Sequence, residues 1–136
     1  MKYWLMKSEP STWSWQDQVQ KGIEHWTGVR NYQACSYMKE MRKGDLAFFY
    51  HSVSERKIVG IVEIVKEYHP DFTDETGKFG MVDVQAVRAL PQPVTLAQLK
   101  ADSRFSHLRL LRQSRLSVMP VDEPSWKIIL EMGGAT

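Results

Sequence analysis

Cysteine is nearly absent from this sequence, since Cys35 is the only one among 136 residues. A lone cysteine forms no internal disulfide, which is typical of proteins from reducing compartments, and we therefore expect a cytoplasmic protein. Long apolar runs are also absent. No segment approaches the roughly 20 residues that cross a bilayer, and residues 2–6 are too short and too aromatic for a signal sequence. We expect no membrane partner.

The motifs of common metal and nucleotide enzymes are missing as well. The four histidines (His25, His51, His69 and His107) share no metal-ligand spacing, and only one thiol is available, so we predict no metal site. No glycine-rich phosphate loop is present, and we predict no cofactor. Cys35 lies beside the apolar stripe of a predicted helix, where a cysteine is usually a small hydrophobic residue. We therefore expect a binding protein and not an enzyme.

The size and composition indicate one globular α+β domain covering residues 1–136. Hydrophobic residues make up 43% of the chain and charged residues 25%, which is ordinary for a packed domain. Short strands are separated by short helices at uneven spacing, a pattern that does not fit regular βαβ winding. It favours a small, curved, mixed sheet or open barrel with helices packed at its ends.

Hydrophobic alternation and β-branched runs predict the strands. They cover residues 2–6, 46–50, 58–66, the segment from 82 to 87, and 116–121, the last an edge strand because of Pro120. Residues 68–78 are predicted to form a polar loop. Gly60 marks an expected β-bulge or a close backbone approach, and Val87 marks an expected β-bulge because the alternation slips there.

Capping residues predict four helices. They begin after Ser14, Asn31, Thr95 and Asp122, and they end near Gly22, Lys43, Ala101 and Gly133. Ser14 with Asp17 and Thr95 with Gln98 have the pattern of capping boxes. In the first helix we expect Trp15 and Val19 on the buried face.

Three short segments combine aromatic rings with hydrogen-bonding side chains at the ends of apolar runs. They are Lys7-Ser8-Glu9-Pro10, Trp26-Thr27-Gly28-Val29-Arg30-Asn31, and Phe49-Tyr50-His51-Ser52. Rings that stack and polar groups that read an edge are what a pocket for a planar heterocycle needs. The sequence therefore predicts a nucleobase-binding site.

Each segment also has a purely structural interpretation. In this interpretation Asn31 is a helix N-cap and Gly28 is a turn residue, and neither has a further role. Trp4, Trp15 and Trp126 are expected to be packing residues, whereas the polar neighbours of Trp26 suggest a further role.

Two groups of basic residues are candidates for contacts with a phosphate backbone. Arg104, His107, Arg109, Arg112 and Arg115 crowd one segment, and Lys39, Arg42 and Lys43 form a second cluster. The alternative is that both groups simply face solvent.

In order along the chain, the motifs resemble the EVE domain family. The resemblance rests on Tyr3-Trp4-Leu5 with Lys7-Ser8-Glu9-Pro10, on residues 26–34 (WTGVRNYQA), on Gly44-Asp45 with Phe49-Tyr50-His51-Ser52, and on Arg115-Leu116-Ser117-Val118 with Pro120-Val121. It implies a PUA-like fold, in which a curved mixed β-sheet closes into a pseudo-barrel with short helices around it. The sequence departs from the common family pattern at Cys35-Ser36, where many members have Arg-Asn.

The resemblance also implies a function, namely binding of a modified base such as 5-methylcytosine or 5-hydroxymethylcytosine, flipped out of DNA. Matching positions assign the base pocket to Lys7, Ser8, Glu9, Trp26, Val29, Arg30, Asn31, Tyr50, His51, Ser52, Leu116 and Ser117. From the residues, the phosphate candidates are Lys39, Arg42, Lys43, Arg109, Arg112 and Arg115.

Two alternatives stay open at this stage. The same pocket would suit RNA or tRNA, in a module linked to RNA modification. A base-hydrolysing enzyme would need a group aimed at the glycosidic bond, and Glu9 and His51 are its only candidates. In either case we expect a monomer whose partner is DNA with modified bases or RNA.

Overall fold

The computed structural model describes residues 1–135 and has six strands and five helices within them. The strands are β1 (Tyr3–Ser8), β2 (Ile23–His25), β3 (Leu46–His51), β4 (Lys57–Pro70), β5 (Gly80–Thr95) and β6 (Val118–Val121). The helices are α1 (Trp15–Lys21), α2 (Tyr32–Glu40), α3 (Leu96–Lys100), α4 (Arg109–Arg112) and α5 (Glu123–Met132), with a 3-10 turn at Ser103–Phe105. No helix in the described range is long and apolar enough to cross a membrane.

All six strands form one mixed sheet in the order β2-β5-β4-β3-β1-β6. Only β1 and β3 pair in parallel, and every other neighbouring pair is antiparallel. The α+β class and the mixed PUA-like sheet are confirmed, and β6 is an edge strand as predicted. The sheet is open, however, because β2 and β6 each have a single neighbour, so a closed barrel describes it only approximately.

The predicted helix starts are confirmed by their caps. The side chains of Ser14 and Thr95 form complete capping boxes, and Asn31 Oδ1 accepts a hydrogen bond from the backbone N–H of Ala34. The predicted buried position of Val19 is wrong, since 51% of its surface is exposed. Gln18 is buried instead, because its amide bonds to the backbone carbonyls of Gly22 and Val84.

Several strand limits differ from the prediction because pairing between strands overrides local composition. β4 runs on to Pro70, into the predicted loop, because its end pairs with Gly80 at the start of β5. The bulges at Gly60 and Val87 are confirmed by shifts in register at both places. The sequence pattern missed β2 and α4, both of which are very short.

The core lies on both sides of β3, whose residues from Ala47 to Tyr50 are all buried. On one side Phe48 stacks on Trp126 of α5, and on the other Phe49 meets the edges of Trp15 and Trp26. Since both faces of β3 are covered, its position is fixed, and so is that of the parallel strand β1 beside it.

Candidate functional site

The parallel pairing of β1 and β3 brings two of the predicted segments together. Lys7 lies beside Tyr50 and Ser8 beside His51. The backbone N–H of Ser52 then donates to the carbonyl of Ser8 at 2.9 Å. Because carboxyl ends of neighbouring parallel strands meet at one edge of a sheet, the loops that follow both strands share this edge.

The segment before β6 joins them. Its Ser117 carbonyl accepts from the backbone N–H of Lys7 at 2.9 Å, and its Ser114 carbonyl accepts from Lys7 Nζ at 2.9 Å. Lys7 therefore stands between β3 and the 114–117 segment.

Trp26 follows β2 and is held mainly by packing. Its backbone N–H donates to Val82 in β5, and its ring meets the edge of Phe49 at 5.6 Å between centroids. Only 7% of Trp26 is exposed. The side chain is thus chiefly a core residue that presents a small part of its surface outward.

That outward part lines a cavity of about 420 Å³, which we call the indole cavity. It is lined by Lys7, Ser8, Glu9, Thr12, Trp13, Glu24, His25, Trp26 and Thr27. Four of the predicted pocket residues are present (Lys7, Ser8, Glu9 and Trp26). Trp13, which the sequence interpretation did not assign to the pocket, supplies a second indole that is less buried than Trp26.

The indole cavity has fixed walls and a mixed set of polar groups. The Ser8 hydroxyl donates to the Trp13 backbone carbonyl, and Trp13 Nε1 donates to Gln18 Oε1 at 2.9 Å, so both the backbone and the ring of Trp13 are held. The charged and titratable groups of the lining are two carboxylates, from Glu9 and Glu24, one ammonium and one imidazole. Such a site suits the donors and acceptors of a neutral ring better than a phosphate.

Asp71 holds the segment after Trp26 in place. Its side chain is completely buried, and Oδ2 accepts from the backbone N–H of Gly28 at 2.9 Å and from Arg30 Nη1 at 3.0 Å. Thr73 donates to Oδ1 through both its N–H and its hydroxyl. Burial raises the pKa of Asp71, but the donors from Thr73, Gly28 and Arg30 outweigh it and lower the pKa to about 2.

These hydrogen bonds to Asp71, which we call the Asp71 clamp, hold the Arg30 side chain outside the cavities. Its guanidinium also bonds the hydroxyl of Thr73 at 2.9 Å and lies 5.7 Å from the ring centroid of Phe79. Arg30 therefore faces the loop between β4 and β5.

The remaining residues of the same predicted segment, and Leu116, have structural roles. Val29 and Leu116 are buried, and Asn31 Oδ1 is used as the α2 cap. Asn31 and Leu116 line a separate cavity of about 340 Å³ together with Arg112 and Arg115.

His51 cannot act as a general base in this arrangement. Its Nε2 accepts from the backbone N–H of Trp15 at 2.9 Å, so Nδ1 carries the proton and donates it to Glu55 Oε1 at 2.9 Å. Both ring nitrogens are occupied, and the side chain is 10% exposed. Glu9 is exposed, lines the indole cavity and accepts from Ser11 Oγ at 2.8 Å.

Tyr50, Ser52 and Ser117 line a different cavity on the far side of Lys7, of about 570 Å³. We call it the cationic cavity because Lys7, Arg56, Lys100 and Arg115 line it. The predicted pocket residues are thus divided between neighbouring cavities, with Lys7 in the walls of both the indole and the cationic cavity.

The predicted phosphate contacts are scattered. Arg42 and Lys43 precede β3, at the end of the sheet opposite to Ser8, which is roughly 17 Å away along a six-residue strand. Arg42 is paired with Glu67 at 3.9 Å. Lys39 lies over the ring of Tyr68, and Arg109 bonds Gln113. Of the six candidates, only Arg115 reaches the cationic cavity.

The strands also bring His25, His69 and Asp83 together, which chain spacing had not indicated. Asp83 Oδ1 bonds His25 Nδ1 at 2.8 Å and His69 Nε2 at 2.9 Å. Burial raises the pKa of Asp83, but hydrogen bonds from the two imidazoles and their charge outweigh it, and the pKa is lowered. The three residues form a network that ties β2 to β4 and β5.

Comparisons with known proteins agree with this architecture. The family model described as "EVE domain" matches residues 2–132. Thymocyte nuclear protein 1 of Rattus norvegicus is 33% identical over 169 aligned residues, covering 96% of this chain and 73% of that protein.

Solved structures are similar over nearly the whole chain. Rpa0253 from Rhodopseudomonas palustris is 53% identical with a TM-score of 0.93, and the match covers 98% of this chain and 94% of that one. The human THYN1 protein, solved in complex with 5-methylcytosine-containing DNA, is 32% identical with a TM-score of 0.88, and the match covers 98% of each chain.

Proposed function

Because this chain belongs to the EVE domain family, we propose that it binds DNA by taking one modified base of the 5-methylcytosine or 5-hydroxymethylcytosine type into the indole cavity. The human relative solved with 5-methylcytosine-containing DNA supports the kind of partner. The observation that carries the proposal is a cavity lined by two indoles and by polar groups of both kinds, between the end of β1 and β2.

The energetics favour a base that is easily unpaired. Flipping a base out of a duplex costs a few kcal/mol, and stacking on an aromatic side chain returns about 1–3 kcal/mol. Trp13 is the more exposed of the two indoles and therefore the better stacking surface. Ser8, Glu9 and Thr12 would hydrogen-bond the edge of the ring, where each unsatisfied buried group costs about 1–3 kcal/mol.

The modification itself contributes little by burial alone. One added methyl group is worth about 0.8 kcal/mol, or roughly a fourfold preference. A stronger preference needs a close-fitting slot, or a hydrogen bond to the hydroxymethyl oxygen. The same cavity would accept a base from RNA, which is the second candidate partner.

Binding without catalysis fits the geometry of this site. Of the two candidates named from the sequence, His51 has no free nitrogen, and Glu9 lines the indole cavity. Incubation with a modified oligonucleotide should release no free base, and release that depends on Glu9 would favour the hydrolase alternative.

Titration of variants against labelled oligonucleotides tests the proposal. Trp13→Ala should weaken binding of a 5-methylcytosine duplex about tenfold or more, because a stacking surface is lost. Tyr32→Ala is the matched control, since it removes a ring that is 67% exposed and lies outside the cavity. Affinity for the modified duplex that is unchanged in Trp13→Ala would refute the assigned cavity.

Trp26 needs a milder substitution. Because its side chain belongs to the core, Trp26→Ala is expected to cost about 3–5 kcal/mol of stability. Trp26→Phe keeps an apolar ring and should reduce affinity while the protein still unfolds cooperatively. Parallel titrations with single-stranded RNA and with unmodified duplex separate the two candidate partners.

A further inference from the structure

The cationic cavity differs from the indole cavity in the sign of its charge. Lys7, Arg56, Lys100 and Arg115 line it, and no aspartate or glutamate does. The tyrosine and serine hydroxyls in its wall (Tyr50, Ser52, Ser114 and Ser117) add neutral hydrogen-bonding groups. A concave site with several cations and no carboxylate favours an anionic ligand.

Within the described residues, these four cations have no acidic partner, although Lys7 Nζ and Arg56 Nε each donate to a backbone carbonyl. Among residues 1–135, none of them has a carboxylate within 4.0 Å. In the same part of the chain Arg30, Arg42 and Arg104 are paired with carboxylates, whereas Lys39, Lys43 and Arg109 are not, so what distinguishes the four is that they line one cavity. Four cations without a carboxylate around one cavity repel one another, and an anion between them would remove that repulsion.

The loop that carries Arg56 has an unusual backbone. Val53 and Arg56 have φ of 70° and 51°, and they are the only non-glycine residues with positive φ in the described range. This conformation is unfavourable for a β-branched residue such as Val53. Both residues line the cationic cavity, and strained residues of this kind cluster at ligand sites.

Lys7 links the two cavities. Its side chain is half-buried, and burial lowers its pKa, which means that its ammonium is incompletely solvated. The ammonium also lies 5.8 Å from the ring centroid of Tyr50. Lys7 is the residue that the linings of the two cavities share.

We propose that the cationic cavity binds a phosphate group of the nucleotide strand whose base enters the indole cavity. The inference rests on the proposed function for its choice of ligand, and it replaces most of the phosphate contacts predicted from the sequence. Lys100, Arg56 and Arg115 hold the phosphate, and Lys7 contacts both the phosphate and the base.

Single substitutions of the cations that lie far from the indole cavity test this assignment. Lys100→Ala and Arg115→Ala should each weaken binding of a 5-methylcytosine oligonucleotide about three- to tenfold, the effect of losing one solvent-screened phosphate contact. Each should also make the plot of log association constant against log salt concentration less steep, by about 0.7 to 0.9 in slope. Lys127→Ala on α5 is the matched control, because it removes one exposed charge outside every cavity described above.

Three probes identify the source of the phosphate. The nucleoside 5-methylcytidine has no phosphate, and its affinity should be the same for the wild type and for Lys100→Ala. Its 5′-monophosphate should bind more tightly than the nucleoside, and Lys100→Ala should remove the difference if a single terminal phosphate is enough. A loss seen only with the oligonucleotide places a backbone phosphate in the cavity instead.

Other results would overturn the inference. One is an unchanged salt dependence of binding in both Lys100→Ala and Arg115→Ala. The others are a loss of affinity in Lys127→Ala as large as in those two variants, or no binding of any phosphate-bearing probe. Its failure is distinct from failure of the proposed function. If Trp13→Ala weakens binding and Lys100→Ala and Arg115→Ala do not, only the phosphate site is wrong. If Lys100→Ala and Arg115→Ala weaken binding and Trp13→Ala does not, only the base pocket is wrong.

Discussion

Asp71→Asn removes the charge from the buried carboxylate that bonds Gly28 and Arg30 in the segment after Trp26. The carboxylate accepts four hydrogen bonds, and its side chain has no exposed surface. An asparagine has one oxygen to accept with, and its amide group would face the N–H donors. We expect the variant to lose about 2–4 kcal/mol of unfolding free energy at pH 7.

The pH dependence gives a sharper magnitude. The pKa of Asp71 is 3.8 in the unfolded reference and about 2 in the folded protein, which corresponds to about 2 kcal/mol of stability at neutral pH. Because the folded pKa is the lower one, this stability is fully present above about pH 4 and is lost as the pH falls towards 2. About half of it should remain at pH 3.

Urea unfolding followed by tryptophan fluorescence at pH 7, 5 and 3 measures the effect. The difference in unfolding free energy between the wild type and Asp71→Asn should be constant from pH 7 to 5 and smaller by about 1 kcal/mol at pH 3. Glu75→Gln, an exposed carboxylate in the same loop, is the control. A difference as large at pH 3 as at pH 7 would refute the account of Asp71 as a charged clamp.

Two further substitutions test the packing and the network around β2. Gly60→Ala would place its Cβ 2.6 Å from ring atoms of Trp15, so we expect about 1–3 kcal/mol of destabilisation in a thermal melt, and an unchanged melting temperature would contradict that contact. Asp83→Ala removes the acceptor shared by His25 and His69 and should speed amide hydrogen exchange in residues 23–25 relative to β3. Equal exchange in wild type and variant would show that the network does not hold β2.

The local features of the fold could be predicted from the sequence because they depend on residues close together in the chain. Ser14 and Thr95 signal their capping boxes within three residues, and Gly60 marks a bulge by its residue type. The apolar run of β3 predicts a strand covered on both faces. β2 is three residues long, and nothing local distinguishes it, so it forms because β5 lies beside it.

The site could be predicted only in part for the same reason. The family motifs grouped Lys7, Ser8 and Tyr50, and the pairing of β1 with β3 brings these three residues together. Trp13 was not assigned although it follows Ser11 and Thr12 in a polar loop, since one indole beside polar residues is a weak signal. Arg56 and Lys100 were not assigned because neither belongs to the clusters of basic residues that the sequence pattern singles out.

By itself the sequence determined the α+β class, the helix caps, the family and the group of residues at one sheet edge, because periodicity, capping and motifs are properties of neighbouring residues. Only the tertiary structure decided that these residues divide between a cavity of mixed charge and a cationic cavity. It also decided that Arg30 and His51 are occupied by partners 41 and 36 residues away in the chain. Charge and hydrogen-bond pairing depend on distance in space, and chain spacing does not report that distance.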